Sequence, residues 1–219
     1  SFTKSAGKRA DELISGSLTM LVTGNFMEEN RQAAVERLLS AYRRFYNVTR
    51  FDGGPNPPPE EFKGICEAGK LTPPVLPEEH SFVALCEYYE KAEQYFLFRA
   101  NELWATHQEE FIFLFSVETL TLSLFEQCRD YAYEEGMKLA HIGPGHMYTY
   151  ITPVFVCDTA EPEAVRALEK CKIYKSFRFS FHGWMDFHAA CYEASKQKLH
   201  FNHSGLCMKK NLEKVFGMR

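Results

Sequence analysis

Apolar and polar positions alternate with a strict period of two over residues 173–191, "IYKSFRFSFHGWMDFHAAC". The odd positions include Phe177, Phe179, Phe181, Met185, Phe187, Ala189 and Cys191; the even ones include Ser176, Arg178, Ser180, His182, Asp186 and His188. Such a period puts one set on each face of an extended chain. One unbroken strand of this length would exceed ordinary strand dimensions, so the pattern predicts a hairpin that turns at His182, Gly183 and Trp184. Phe181 then faces Met185, Phe179 faces Phe187, Phe177 faces Ala189, and Arg178 faces His188 on the reverse.

Elsewhere the period changes. Over residues 25–47, Val35, Leu38, Leu39, Tyr42, Phe45 and Tyr46 form the one-sided stripe of an amphipathic helix. Glu28 and Glu29 near its start and Arg43 and Arg44 near its end suit the helix dipole. A weaker stripe over residues 8–22 (Leu13, Ile14, Leu18, Leu21) suits packing on a partner subunit. Seven of the ten prolines fall in residues 49–80, where missing donors and fixed angles predict a long irregular connection.

Residues 82–99 read as a hairpin turning at "EKAE", and "EEFIFLFSV" (109–117), apolar on both sides, as a central strand. The next apolar positions, Leu120, Leu124, Cys128, Tyr131 and Leu139, approach helical spacing, with Ser123 and Glu126 as a capping box. "MYTYITPVFVCD" predicts a strand in which Pro153 marks an edge, a bulge or an interruption. A helix follows with Pro162 near its start, then a last strand near "KLHF" and a short C-terminal helix.

The expected fold class is therefore α+β. A mostly antiparallel, curved sheet of about six or seven strands carries helices at 26–47, 119–140 and 161–171 on its phenylalanine face. Residues 1–25 form a helical extension, and 26–219 a single domain that includes the proline-rich connection.

Composition narrows the function classes. At 219 residues with 45% hydrophobic positions, the chain can bury a substantial core. A net charge of -4 gives no overall attraction to nucleic acid or to an anionic membrane. No run reaches the ~20 apolar residues of a membrane helix, and the first thirty residues lack a secretory pattern. The seven cysteines are scattered, without a Cys-x-x-Cys pair, so reduced thiols in the cytoplasm are expected.

Three phrases, "QYFLFRANELWATHQEEFIFLF", "HMYTYITPVFVCD" and "YKSFRFSFHGWMDFHAACYEASKQKLHFNHSG", carry a resemblance. The chain resembles a family of small uncharacterised bacterial and archaeal proteins, a domain of unknown function, over about residues 28–210. In that family a His-Met-x-x-Tyr-Ile-Thr phrase precedes a Lys-Ser-Phe-x-Phe-x-Phe-x-Gly-Trp-x-Asp ribbon. The resemblance implies a single α+β domain and no particular activity, and residues 1–25 and 49–80 depart from the family pattern.

Candidate chemistry is sparse. His182, Asp186 and His188 share the even face of the ribbon, and two imidazoles with a carboxylate could bind a transition metal. Arg178 lies on that face, which could equally be the solvated side of a sheet. His141 and His146 flank "GPG" in a loop that leads into a strand; this reads as turn chemistry, with His146 as a possible acid or base beside Tyr148 or Tyr150. Trp104 and Trp184, each flanked by polar residues, suit a pocket rim. There is no Gly-x-Ser-x-Gly elbow, P-loop, dinucleotide fingerprint or Glu-x-Lys nuclease signature.

The expectation is an uncharacterised, non-catalytic binding or accessory protein, self-associating through its N-terminal helices, with no cofactor identifiable. The alternatives are a metal-dependent hydrolase-like enzyme using the His/Asp/His cluster, and a small-molecule sensor with an aromatic pocket.

Overall fold

Phe111, Phe113, Phe115 and Val117 alternate with Ile112 and Leu114, and all six are buried. A strand apolar on both faces must be covered on both, since leaving one large side chain wet costs about 1.5–3 kcal/mol. That requirement sets the plan of the molecule. The computed structural model describes residues 27, 28, 30–58, 61, 62, 64–94 and 104–218.

In chain order these form helix α1 (residues 30–42) and strands β1 (Asn47–Arg50), β2 (Phe82–Gln94) and β3 (Trp104–Leu120). Then come α2 (Leu122–Leu139), β4 (His146–Ala160), α3 (Pro162–Lys170), β5 (Tyr174–Ser176), β6 (Trp184–Phe187), β7 (Ala190–Glu193), β8 (Lys198–Phe201) and α4 (Lys209–Val215). The strands make one open eight-stranded sheet in the order β1-β2-β3-β4-β6-β5, with β7 on β4 and β8 on β7.

The sheet is mixed, which corrects the expectation of a mostly antiparallel one. β3 and β4 are parallel, as are β4 with β6 and β4 with β7. The cause lies in α2: a helix that crosses between strands returns the chain in the same direction. Thr121 caps it, its hydroxyl accepting from the Leu124 amide at 3.2 Å, rather than the Ser123–Glu126 box.

Helices cover both faces, a second correction. One core packs Phe113, Phe115, Phe155 and Phe187 beneath Phe125 and Cys128 of α2 and Leu168 of α3. The other packs Ile112, Leu114, Val154 and Val156 beneath Val35, Leu38 and Leu39 of α1 and Leu212 of α4. Residues 51–81 run without strand or α-helix among the described residues and lie along the α2 side, where Gln127 and Tyr131 donate to the Val75 and Thr72 carbonyls.

β2 continues through Glu90–Gln94 with no turn at "EKAE"; it pairs in register with β3, Tyr89 opposite Glu109. The expected second strand of that hairpin falls largely outside the described residues, as do residues 1–25.

The opening ribbon is the third correction. β5 pairs with β6 as Tyr174↔Asp186, Lys175↔Met185 and Ser176↔Trp184, far from the register expected around His182–Trp184. Arg178, Phe179 and Ser180 take positive φ values of 46°, 55° and 68°, which curls the tip into a turn. Phe179 and Phe181 are therefore 97% and 85% exposed, while Phe187 is fully buried. Gly183 closes the turn at φ +68°, and a Cβ there would sit 2.0 Å from the Met147 carbonyl oxygen.

Pro153 explains the break between β6 and β7. Ile151 pairs with Phe187 and Val154 with Ala190, so Thr152 and Pro153 face the unpaired residues His188 and Ala189. Ile151 accepts from the His188 amide at 3.0 Å, and the next residue of β4 with the same orientation is a proline that has no proton to give. Pro153 thus interrupts a ladder from the middle of the sheet.

Candidate functional site

The even residues of β2, β3 and β4 on the face of the second core, together with His188 of the link between β6 and β7, form the floor of a cleft. Tyr88, Glu110, Ile112, Tyr150 and His188 line it; α1 makes one wall, and Cys207 through Val215 the other. Its volume is about 1270 Å³, somewhat larger than an ordinary small-molecule pocket. The α1 wall is fastened by ion pairs of Glu36 with Arg50 at 2.8 Å and of Arg31 with Asp158. The opposite wall is held by Phe216, which stacks on Tyr192 at 3.9 Å and 5°.

Rings pave this face. Trp184 stacks on Tyr148 at 5.8 Å, Tyr148 on Tyr150 at 4.6 Å, and Tyr150 lies against His188 at 4.4 Å. This strip follows from alternation: Tyr148 and Tyr150 are two apart on β4, and their register partners Trp184 and Asp186 are two apart on β6. At the α1 end, Tyr46 meets Tyr42 at 5.4 Å and Tyr88 at 5.8 Å.

A carboxyl group sits among the rings. Glu110 Oε2 accepts from Tyr46 Oη at 2.6 Å, and Oε1 from Thr152 Oγ1 at 3.2 Å. Burial pushes its pKa above the ordinary carboxylate value, and the two donors pull the other way. Burial, then the Glu110 charge, push the Tyr46 phenol up as well.

Beside it, His188 Nδ1 lies 3.8 Å from Cys207 Sγ, and Nε2 lies 3.8 Å from Asp186 Oδ2. Burial depresses the His188 pKa despite the neighbouring Asp186. Burial, then Glu110 and Asp186, raise that of Cys207. The backbone here is fixed by Asn202, whose Oδ1 accepts from the Ala189 and Gly205 amides at 2.8 Å each. Asn202 Nδ2 donates to the Phe187 and Cys171 carbonyls at 2.8 and 3.1 Å.

A second polar cluster lies at the other face, where β3 and β4 begin. Glu109 accepts from the His141 amide at 2.8 Å and lies 2.9 Å from His141 Nδ1, while His141 Nε2 lies 3.2 Å from Glu67. Burial works against protonation of His141, but Glu109 and Glu67 prevail and raise its pKa. His146 Nδ1 lies 2.7 Å from the His182 carbonyl oxygen and Nε2 2.7 Å from Thr149 Oγ1, and burial lowers its pKa. The carboxylates and imidazoles of this cluster pair with one another, with Thr149, Lys70 and the His182 carbonyl, and they leave a space of only about 10 Å³ beside Glu67 and Glu109. It reads as a structural lock between the 65–70 segment and the sheet.

The sequence candidates separate accordingly. Asp186 and His188 come together at the cleft; His182 and Arg178 belong to the turn beyond β5. Among the described residues no group of three His, Cys, Asp or Glu side chains could hold a metal ion. Trp184 joins the aromatic strip, Trp104 begins β3 opposite Gln94, and His146 belongs to the lock. Sequence reasoning missed Tyr46, Glu110 and Cys207. Tyr46 and Glu110 carried a weak signal, an aromatic at a helix end and the second of two adjacent carboxylates directly before the apolar run Phe111–Phe115.

No helix among the described residues is long and apolar enough to cross a membrane. Neither the curated proteins nor the solved structures offer a match to this chain. The model of a family described as Domain of unknown function (DUF8052) matches residues 75–214, a span that includes β2 through most of α4, and the chain belongs to that family.

Proposed function

We propose that this protein is a binding module whose ligand, a small molecule with a flat apolar body, occupies the cleft between α1 and α4. The observation that carries the reading is the ring-paved floor of a cleft of about 1270 Å³, in which Glu110 and His188 offer polar contacts amid tyrosine faces. Rings favour flat ligands by stacking, and a few placed polar groups fix orientation. Floor residues Tyr88, Glu110, Tyr150 and His188 all fall within the span that the family shares; α1 lies outside it. In this reading the protein works in the reducing cytoplasm, consistent with unpaired thiols, and copies associate through the N-terminal helices.

The test is equilibrium binding of anilinonaphthalene sulfonate followed by its fluorescence. Saturable binding at one site, weakened about tenfold in Tyr150→Ala through loss of a stacking face, is expected. A lack of saturable binding, or an affinity indifferent to Tyr150, would overturn the reading.

A further inference from the structure

We propose that Cys207, His188 and Asp186 form an acyl-transfer site, in which the Cys207 thiol takes an acyl group from an activated ester or thioester and passes it to water. The inference rests on the cleft reading only for where the acyl donor lies, because Cys207 lines that cleft.

Cys207 differs from the other cysteines. Cys86, Cys128, Cys157 and Cys191 are buried, and Cys66 and Cys171 are half-buried, whereas Cys207 is exposed. Cys66 meets a carboxylate, Glu87, at 3.2 Å; Cys207 Sγ instead faces an imidazole nitrogen, His188 Nδ1, at 3.8 Å. The other nitrogen of that ring lies 3.8 Å from Asp186 Oδ2, longer than a hydrogen bond but within ion-pair distance of a charged ring. The result is a thiol, a base and an orienting carboxylate in sequence.

The three groups are tied by contacts that do not involve the thiol. Asp186 Oδ1 accepts from the Phe187 amide at 2.9 Å and from Ser204 Oγ at 3.0 Å, and Ser204 opens the 3-10 turn Ser204–Met208 that carries Cys207. Gly205 makes that turn possible, since a Cβ there would lie 2.6 Å from the Ala189 carbonyl oxygen. Asn202 binds Gly205 and Ala189 with one oxygen, so the turn and the link between β6 and β7 that bears His188 share one anchor. Tyr150 backs the imidazole from the floor at 4.4 Å.

The protonation states suit general-base catalysis. The groups that face His188 are Asp186, Cys207 and Tyr150, with Glu110 close enough to act on the latter two. Burial keeps the ring neutral; the Cys207 thiol, open to solvent on one side, is held protonated by partial desolvation against the cleft and by the Glu110 and Asp186 charges, so the thiolate forms as its proton moves to Nδ1. As the proton leaves Sγ, the sulfur bonds to the carbonyl carbon. The bond from that carbon to the leaving oxygen or sulfur then breaks, and the leaving group takes the proton from His188. In the second half, His188 removes a proton from water, the hydroxyl oxygen bonds to the acyl carbon, and the C–S bond breaks. Cys207 recovers its proton and a carboxylic acid departs. Asp186 acts as a positioning residue, its charge favouring the ring orientation that keeps Nδ1 toward sulfur.

The test uses the full chain, p-nitrophenyl acetate and mass spectrometry at early times. The expected result is acetylation concentrated on Cys207, absent in Cys207→Ser, and slowed at least about tenfold in His188→Gln with the circular dichroism unchanged. In the wild type, which needs no variant to fold, the rate should rise with deprotonation of an imidazole rather than of a thiol. Asp186→Asn should move that profile while retaining part of the rate. Acetyl spread evenly over Cys66, Cys171 and Cys207, or a wild-type profile that follows thiol ionisation alone, would overturn the proposal. Selective acetylation of Cys207 in a protein that fails to bind anilinonaphthalene sulfonate would sustain the thiol site and withdraw the cleft reading.

Discussion

Asn202 stands where β4 cannot reach: its Oδ1 holds the Ala189 amide at 2.8 Å, beside the point where Pro153 interrupts the ladder. The side chain is 1% exposed and makes four hydrogen bonds to backbone groups of residues 171, 187, 189 and 205. An apolar replacement leaves those groups without partners in a dry place, where each costs about 1–3 kcal/mol and the costs do not simply add. Asn202→Ala is expected to lower stability by about 3 kcal/mol in urea titration. The 204–208 turn loses its anchor with it, so Cys207 alkylation should change in the same variant.

Gly183 offers an independent test of how the β5–β6 tip is placed. Its φ of +68° disfavours any side chain, and the Met147 carbonyl carbon and oxygen lie 2.5 and 2.0 Å from where a Cβ would stand. Gly183→Ala should cost about 2–4 kcal/mol, combining left-handed strain with displacement of backbone. It should also free His146 from the neighbouring His182 carbonyl, an effect visible as a shifted imidazole signal in NMR titration.

The polar lock predicts opposite pH behaviour for two histidines. His141 has a raised pKa, so its contribution is fully present below the ordinary value of 6.5 and fades as pH rises through the folded value. His146 has a lowered pKa, so the fold resists its protonation and loses stability as pH falls below 6.5. Wild type minus His141→Asn should therefore show its largest stability difference near pH 5.5, about 0.5 kcal/mol after allowing for solvent screening at a site that is one-third exposed, shrinking by pH 8. His146→Gln should reverse the trend, flattening the acid side of the curve. Urea midpoints at several pH values decide both.

The sequence carried some of this architecture in plain periodicity. α2, α3 and the long strand β4 follow directly from spacing, and Pro153 announced an interruption that proved to be its partner strand's. The apolar run Phe111–Phe115 also contained the reason for helices on both faces, because both alternate sets are hydrophobic. What alternation cannot register is a turn whose residues keep the same odd and even chemistry. Arg178, Phe179 and Ser180 curl left-handed while the letters still alternate, so the pattern places Phe179 and Phe181 in a core that they never enter. Asp186 and His188 were legible as neighbours on one face. Cys207 was not, because it reaches His188 only after β7, β8 and a 3-10 turn reverse the chain.

Tyr46 and Glu110 connect the end of α1 to the reactive edge of the cleft, and the sign of that coupling can be measured. Tyr46→Phe removes the shorter of two hydrogen bonds to Glu110, leaving the one from Thr152 at 3.2 Å. The fold loses about 1 kcal/mol, and the Glu110 pKa, already raised by burial, climbs further. At neutral pH the carboxyl then spends more of its time uncharged. The Glu110 charge is one of the influences that keep the Cys207 thiol protonated, so weakening it releases the thiolate. Tyr46→Phe should thus speed alkylation of Cys207 by iodoacetamide, by about twofold, and Glu110→Gln should do so at least as strongly. A slower reaction in both variants would mean that Glu110 assists the thiolate through contacts, and that its charge does not govern the site.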